Sequence, residues 1–131
     1  MTEIANVATG ELVTYEPLSP IELEALIVEI GHRLEASVPA LKQMWANRYA
    51  AERALIEGKA KAVLRSKADT VTEKRAEADL ATLELRREFD DAKEILHAAE
   101  ELQKALQARL FGMQNINRVV ATLYNAGGNG R

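Results

Sequence analysis

From Leu85 to Tyr124 the chain repeats an apolar residue every three or four positions: Leu85, Phe89, Ala92, Leu96, Ala99, Leu102, Leu106, Leu110, Met113, Asn117, Val120 and Tyr124, with Asn117 the one polar member. Only a helix gathers such positions onto one side. The pattern therefore predicts one amphipathic helix of about 40 residues, whose buried stripe needs an equally long surface to pack against. Gly112 is its one weak point, costing about 1 kcal/mol relative to Ala in a helix interior. Composition agrees: apolar residues make up 47% of the 131, yet 22 are Ala and six are aromatic, so the core is thin. Ala and Leu beside Glu, Lys and Arg belong to long helices packed closely rather than to a rounded globule.

Upstream, Leu18-Ser19-Pro20-Ile21-Glu22-Leu23 carries a full helix start. Ser19 is the N-cap, Pro20 the first helical residue, Glu22 the capping-box carboxylate, and Leu18 with Leu23 a hydrophobic staple. The helix so begun carries a stripe of Leu23, Leu26, Ile27, Ile30 and Leu34, and is expected to end near Ala36. Pro39 pushes the residue before it out of helical geometry. A second helix is expected over 39–65 with two apolar flanks, Leu41, Met44, Leu55 and Ala62 on one side and Trp45, Tyr49, Ile56 and Val63 on the other. Residues 66–69 form a short connection, and Thr70-Val71-Thr72-Glu73 opens a third helix over 71–125. Residues 1–17 read as an extended N-terminal arm, in which Glu11 to Tyr15 has strand character but needs a pairing partner, from another chain if it is to be a strand. Residues 18–126 form the helical domain, and 127–131 a flexible tail.

Charge alternates in blocks along the chain: −3 over 20–36, +5 over 38–68, −6 over 69–101 and +4 over 102–131. Folding back at residues 66–70 sets each block beside one of opposite sign. The expected fold is all-α: a long, coiled-coil-like antiparallel helical hairpin with a break at Val38-Pro39, or a three-helix bundle if the first helix folds back. Exposed ion pairs contribute only about 0–1 kcal/mol each, so the blocks select register more than they stabilise. The second flank of 39–65 and the residues Leu110, Met113 and Tyr124 are left over. Exposed apolar stripes of such length meet another chain, which predicts a homodimer or higher oligomer.

The chain holds no cysteine, which removes disulfides, thiolate metal sites and a cysteine nucleophile, and fits a reducing cytoplasm. No segment reaches the length of apolar residues that spans a bilayer, and no secretory leader is visible, so the expectation is a cytoplasmic protein with no membrane partner. The two histidines lie in Glu29-Ile-Gly-His32 and Glu94-Ile-Leu-His97, a spacing that binds paired metal ions when it faces the core of a helical bundle. On these helices it points away from the apolar stripes. Ser37 and Ser66 have no neighbouring histidine, and Gly127-Gly128-Asn129-Gly130 follows a helix instead of joining a strand to one. The reading is a non-enzyme with no catalytic residues, metal or cofactor.

Two surfaces remain. Around the turn, Lys59, Lys61, Arg65 and Lys67 cluster where phosphates could be contacted, with Lys61, Arg65 and Lys67 pointing outward. No aromatic residue lies between positions 50 and 88 for bases to stack on, so such binding would be nonspecific. Trp45 and Tyr49, one helical turn apart, could anchor a protein interface together with Leu110, Met113 and Tyr124.

The order of TGELVTYEPLSPIELEALIVEIG at 9–31, Arg53-Ala54, Lys59-Ala60-Lys61-Ala62, the tip Ser-x-x-x-Thr-Val-x-x-Lys-Arg-x-x-Ala at 66–78 and the ending LQARLFGMQNINRVVATLY at 106–124 resembles small helical proteins of tailed phages that infect actinobacteria. The likeness implies an accessory role in phage DNA replication or recombination, inside the host cytoplasm, and carries over no functional residue. Three functions follow as expectations: an oligomeric DNA-associated accessory factor acting through the basic tip, a module that binds or inhibits a host protein, and a scaffolding protein.

Overall fold

The computed structural model describes residues 2–5, 12–15 and 19–129, with side chains from 19 to 125. Its elements are β1 (Thr2–Ala5), β2 (Leu12–Tyr15), α1 (Pro20–Arg65), α2 (Val71–Ala81) and α3 (Leu83–Asn129). The fold is all-α apart from one small ribbon. In it β1 and β2 pair antiparallel, Thr2 with Tyr15 through Ala5 with Leu12. The strand expected at 11–15 therefore takes its partner from its own chain, and residues 2–5 and 12–15 are a ribbon instead of part of an extended arm. Threonine and isoleucine in β1, and valine, threonine and tyrosine in β2, favour extended backbone.

The start of α1 is built as its residues dictate. The Ser19 hydroxyl accepts from the Glu22 N–H at 3.2 Å, and the Glu22 carboxylate accepts from the Ser19 N–H at 3.2 Å. Leu18, the other half of the expected staple, lies outside the described residues.

Pro39 does not break α1, which runs unbroken from Pro20 to Arg65. The expected break at Val38-Pro39 is thus corrected, and with it the three-helix bundle in which residues 20–36 fold back. Proline removes one hydrogen bond to the carbonyl four residues earlier and crowds it, usually kinking the helix. Here Glu35, which loses that donor, is exposed, as is Pro39. In the same turn the Ser37 hydroxyl donates to the Leu34 carbonyl at 2.6 Å.

The interruption falls instead at Thr82. Its φ of −111° and ψ of 17° end α2. Its hydroxyl donates to the Ala78 carbonyl at 2.7 Å, and its own N–H bonds the same oxygen at 3.1 Å. A threonine bonded back to the preceding turn competes with the helix ladder and bends it. The chain resumes at once, with the Arg86 N–H on the Thr82 carbonyl at 2.9 Å.

The chain packs as two compact units, residues 1–33 with 107–131, and residues 34–106. In the second, α1 runs antiparallel to α2 and α3. The Gln103 amide donates to the Ser37 hydroxyl at 3.2 Å, Lys59 pairs with Asp79 at 3.3 Å, and the Ser66 hydroxyl donates to the Glu77 carboxylate. A methyl on Gly58 would stand 2.5 Å from a Leu85 methyl and 3.4 Å from that of Thr82, so the absent side chain is what lets the helices approach. Buried or half-buried positions on α1 step by four and three, Leu34, Ser37, Leu41, Met44, Arg48, Ala51, Leu55, Gly58 and Ala62. Facing them are Ala78, Thr82, Leu85, Phe89, Ala92, Leu96, Ala99, Gln103 and Leu106. Both are heptad seams, the pattern of a coiled coil. In the first unit Leu23 and Ile30 on α1 are buried, and Leu110, Met113, Asn117 and Val120 on α3 are half-buried at the same spacing.

Two members of the expected α3 stripe are corrected. Leu102 is 61% exposed and Gln103 takes its place, while Tyr124 is 81% exposed. A 3.5-residue period carried forward from Leu96 and Ala99 reaches 103, not 102. The polar residue that arrives there finds the polar Ser37 opposite.

Candidate interaction surfaces

The basic tip is held by the short connection after α1. The Ser66 N–H caps that helix on the Ala62 carbonyl at 3.0 Å, and its hydroxyl also accepts from the Ala68 N–H at 3.2 Å. Thr70 then caps α2 by accepting from the Glu73 N–H at 3.1 Å. Of the four cations singled out in the sequence, two are already engaged. Lys59 reaches across to Asp79, and Lys61 pairs with Glu57 on its own helix at 2.8 Å. The hydrogen bond and the charge of Lys61 hold the Glu57 carboxyl below its ordinary value. Arg65 and Lys67 are exposed and join no ion pair among the described residues; nor do Lys74 and Arg75 on α2, which belong to the same tip. Arg75 also lines a groove between α1 and α2 with Lys59, Val63, Leu64 and Asp79. Pairing across the turn cannot be read from composition, because it depends on which lysine faces α2.

Trp45 and Tyr49 stack with ring centres 5.6 Å apart and planes tilted by 32°. The Arg48 guanidinium lies 5.1 Å from the Trp45 ring, within cation–π range. Arg48 holds a seam position, and its Nε is buried with no hydrogen-bond partner. Trp45 is half-buried and Tyr49 48% exposed, so the pair lies at the margin of the seam. Leu110 and Met113 belong to the inner seam rather than to an outer face. Tyr124 borders a groove with Pro20, Glu24, Asn117 and Val120. Glu29, His32, Glu94 and His97 are all exposed, and Glu29 pairs with Arg33 at 3.0 Å. Among the described residues no group of three His, Cys, Asp or Glu is placed to hold a metal, and no helix is long and apolar enough to cross a membrane.

The surface that sequence reasoning missed lies on α3. A second set of positions keeps the heptad spacing: Ile95, Ala98, Leu102 and Ala105 in the 34–106 unit, and Arg109, Gly112, Ile116, Val119 and Leu123 in the other, all but Leu123 one residue before a seam residue. All are exposed. Five of the eight large apolar side chains exposed on α3 fall on this one line, which makes it a pattern and not scatter. The signal was present as a repeated apolar doublet, Ile95-Leu96 and Val119-Val120, with Leu102-Gln103 between them. Comparison with protein-family models, curated proteins and solved structures finds no match for the chain.

Proposed function

We propose that the protein is a non-enzymatic helical interaction protein that works by presenting the outer α3 stripe to another helix. The observation that supports this most is the stripe itself: mostly apolar, exposed and at coiled-coil spacing on a helix whose other heptad seam is already occupied. A 3.5-residue period has no use on a solvated face, where apolar residues carry no register. Host-protein binding and scaffolding, two of the functions expected above, are both forms of this reading. The direct test is a photo-crosslinking amino acid at position 102, in the cells that make the protein. A polypeptide adduct is the expected result; no adduct from a chain of native helicity contradicts it.

A second reading is favoured by a separate observation, the four tip cations Arg65, Lys67, Lys74 and Arg75 with no ion pair. They would contact phosphates without sequence preference, in the accessory DNA role that the phage resemblance implies. Each contact releases counterions and steepens the salt dependence. Binding of a labelled duplex at about 50 and 200 mM salt should weaken with salt, and weaken further when Arg65 and Lys67 become Ala. Lys61→Ala should matter less, since Glu57 already holds that charge. No binding at the lower salt removes this reading.

A further inference from the structure

A second surface lies at the tip of the 34–106 unit and does not depend on the outer stripe of α3. We infer that the groove between α1 and α2 at this tip docks an acidic amphipathic helix of a partner protein. Ala60, Val63 and Leu64 line it on α1, Ala78 lies beneath on α2, and its volume is about 590 Å³. Leu64 is 85% exposed although it lines a groove, while Ala78 is buried. The two alanines leave depth that larger residues would fill, so an incoming apolar side chain finds Ala78 below it and Val63 and Leu64 beside it. The α1 wall runs from Lys59 to Leu64, about 7.5 Å along the helix axis. That length accepts two apolar side chains spaced by three or four residues on a partner helix.

Charge selects the kind of helix. Three charged residues stand at the edge of the groove, and two of them neutralise each other, Lys59 and Asp79 at 3.3 Å. Arg75 is left, exposed and with no ion pair among the described residues. The two glutamates of α2 do not answer it. Glu77 takes the bond of the Ser66 hydroxyl and lines the opposite groove with Lys61 and Arg65, and Glu73 stands one turn before Glu77. Each is two residues from Arg75, and side chains two apart on a helix do not face each other. The groove thus sets apolar surface beside one uncompensated positive charge. Its complement is a helix with two apolar residues and a carboxylate beside them, and a basic helix is excluded by like charge.

Phosphates would compete for Arg75, but they bring nothing to Val63 and Leu64. No aromatic residue lies between positions 50 and 88 on which a base could stack. The apolar lining therefore favours a peptide over a nucleic acid in this groove. Ile56, seven residues before Val63 and so two turns along the same side of α1, is exposed as well. A longer partner helix meets it next.

Panning a multivalent library of random peptides of about 16 residues, roughly four helical turns, on the immobilised full chain tests this. Prior depletion on the Leu64→Gln protein removes peptides that bind elsewhere, those for the outer α3 stripe included. Enriched peptides are expected to carry two apolar residues three or four apart with Asp or Glu beside them. Each should bind about tenfold more weakly to Leu64→Gln and to Arg75→Glu with helicity unchanged, and within about twofold of the wild type to Arg65→Ala, whose residue lines the opposite groove. No enrichment, enrichment of peptides rich in Lys and Arg, or equal binding to Leu64→Gln overturns the inference. So does a labelled duplex bound at about 50 mM salt alike by the wild type and Leu64→Gln when no peptide is enriched, which assigns the tip to phosphate. The crosslink from position 102 is untouched by each of these outcomes, so the helix-pairing reading of α3 stands or falls separately.

Discussion

Leu96 and Leu102 stand six residues apart on one helix, yet one is 2% exposed and the other 61%. Their side chains have the same size and hydropathy, so neither property decides which one the protein buries. Position in the 3.5-residue repeat does. The inner seam accepts whatever falls on the repeat, including Gln103, Arg48 and Gly58. Gln103 is answered across the seam by Ser37 and Gly58 by the bulk of Leu85, while Arg48 lies against the face of Trp45 on its own helix. The outer stripe holds its leucines against solvent, with no described residue covering them.

This contrast can be broken by unequal responses to equal changes. Leu96→Ala should cost about 2–4 kcal/mol in chemical denaturation, whereas Leu102→Ala, measured on the dilute monomer, should stay within about 0.5 kcal/mol. A similar cost at both sites would erase the distinction between inner and outer faces. Glycines sharpen it next. Gly58→Leu drives a side chain into Leu85 and Thr82 and should cost about 1–3 kcal/mol. Gly112→Ala, on the outer stripe with nothing within 4 Å of the new methyl, should stabilise by about 0.5–1 kcal/mol through helix propensity. Smaller still is Ser37→Ala, which leaves the Gln103 amide without its partner across the seam and should cost about 0.5–1.5 kcal/mol; the exposed Ser19 offers the comparison, since Ser19→Ala removes a cap worth about 1 kcal/mol.

The least effect belongs to the exposed Glu57–Lys61 pair. The lowered Glu57 carboxyl means that whatever it contributes is present above the ordinary carboxylate value of about 4.3 and is lost as pH falls through the lower folded-state value. Because the pair is exposed, that contribution is small, and Glu57→Gln should leave the thermal midpoint at pH 7 nearly unchanged.

Much of the fold was legible because its signals are local or block-wise. Ser19 and Glu22 form the capping box their spacing promises, Thr70 caps where expected, and opposite charge blocks face each other at Lys59 and Asp79. What was not legible depends on the facing helix. Pro39 reads as a stop because a proline usually strands a carbonyl, but that carbonyl belongs to the exposed Glu35, which water can reach. Thr82 reads as an ordinary helical residue, and its bond back to Ala78 becomes decisive only because it sits in the seam opposite Gly58. Hydropathy chose Leu102 over Gln103 because single-sequence patterns cannot see that Ser37 waits on the other side. The tip was legible as a cluster of cations, but not in how many of them were already paired.

The central claim is that α3 has an inner face that folds the chain and an outer face that binds. Light scattering and helicity recorded together on Leu96→Glu and Leu102→Glu test it most directly. The account predicts that Leu96→Glu loses helicity, whereas Leu102→Glu keeps full helicity and falls from the expected homodimer or higher oligomer to monomer. Loss of helicity in both, or a Leu102→Glu protein that associates as the wild type does, would contradict it.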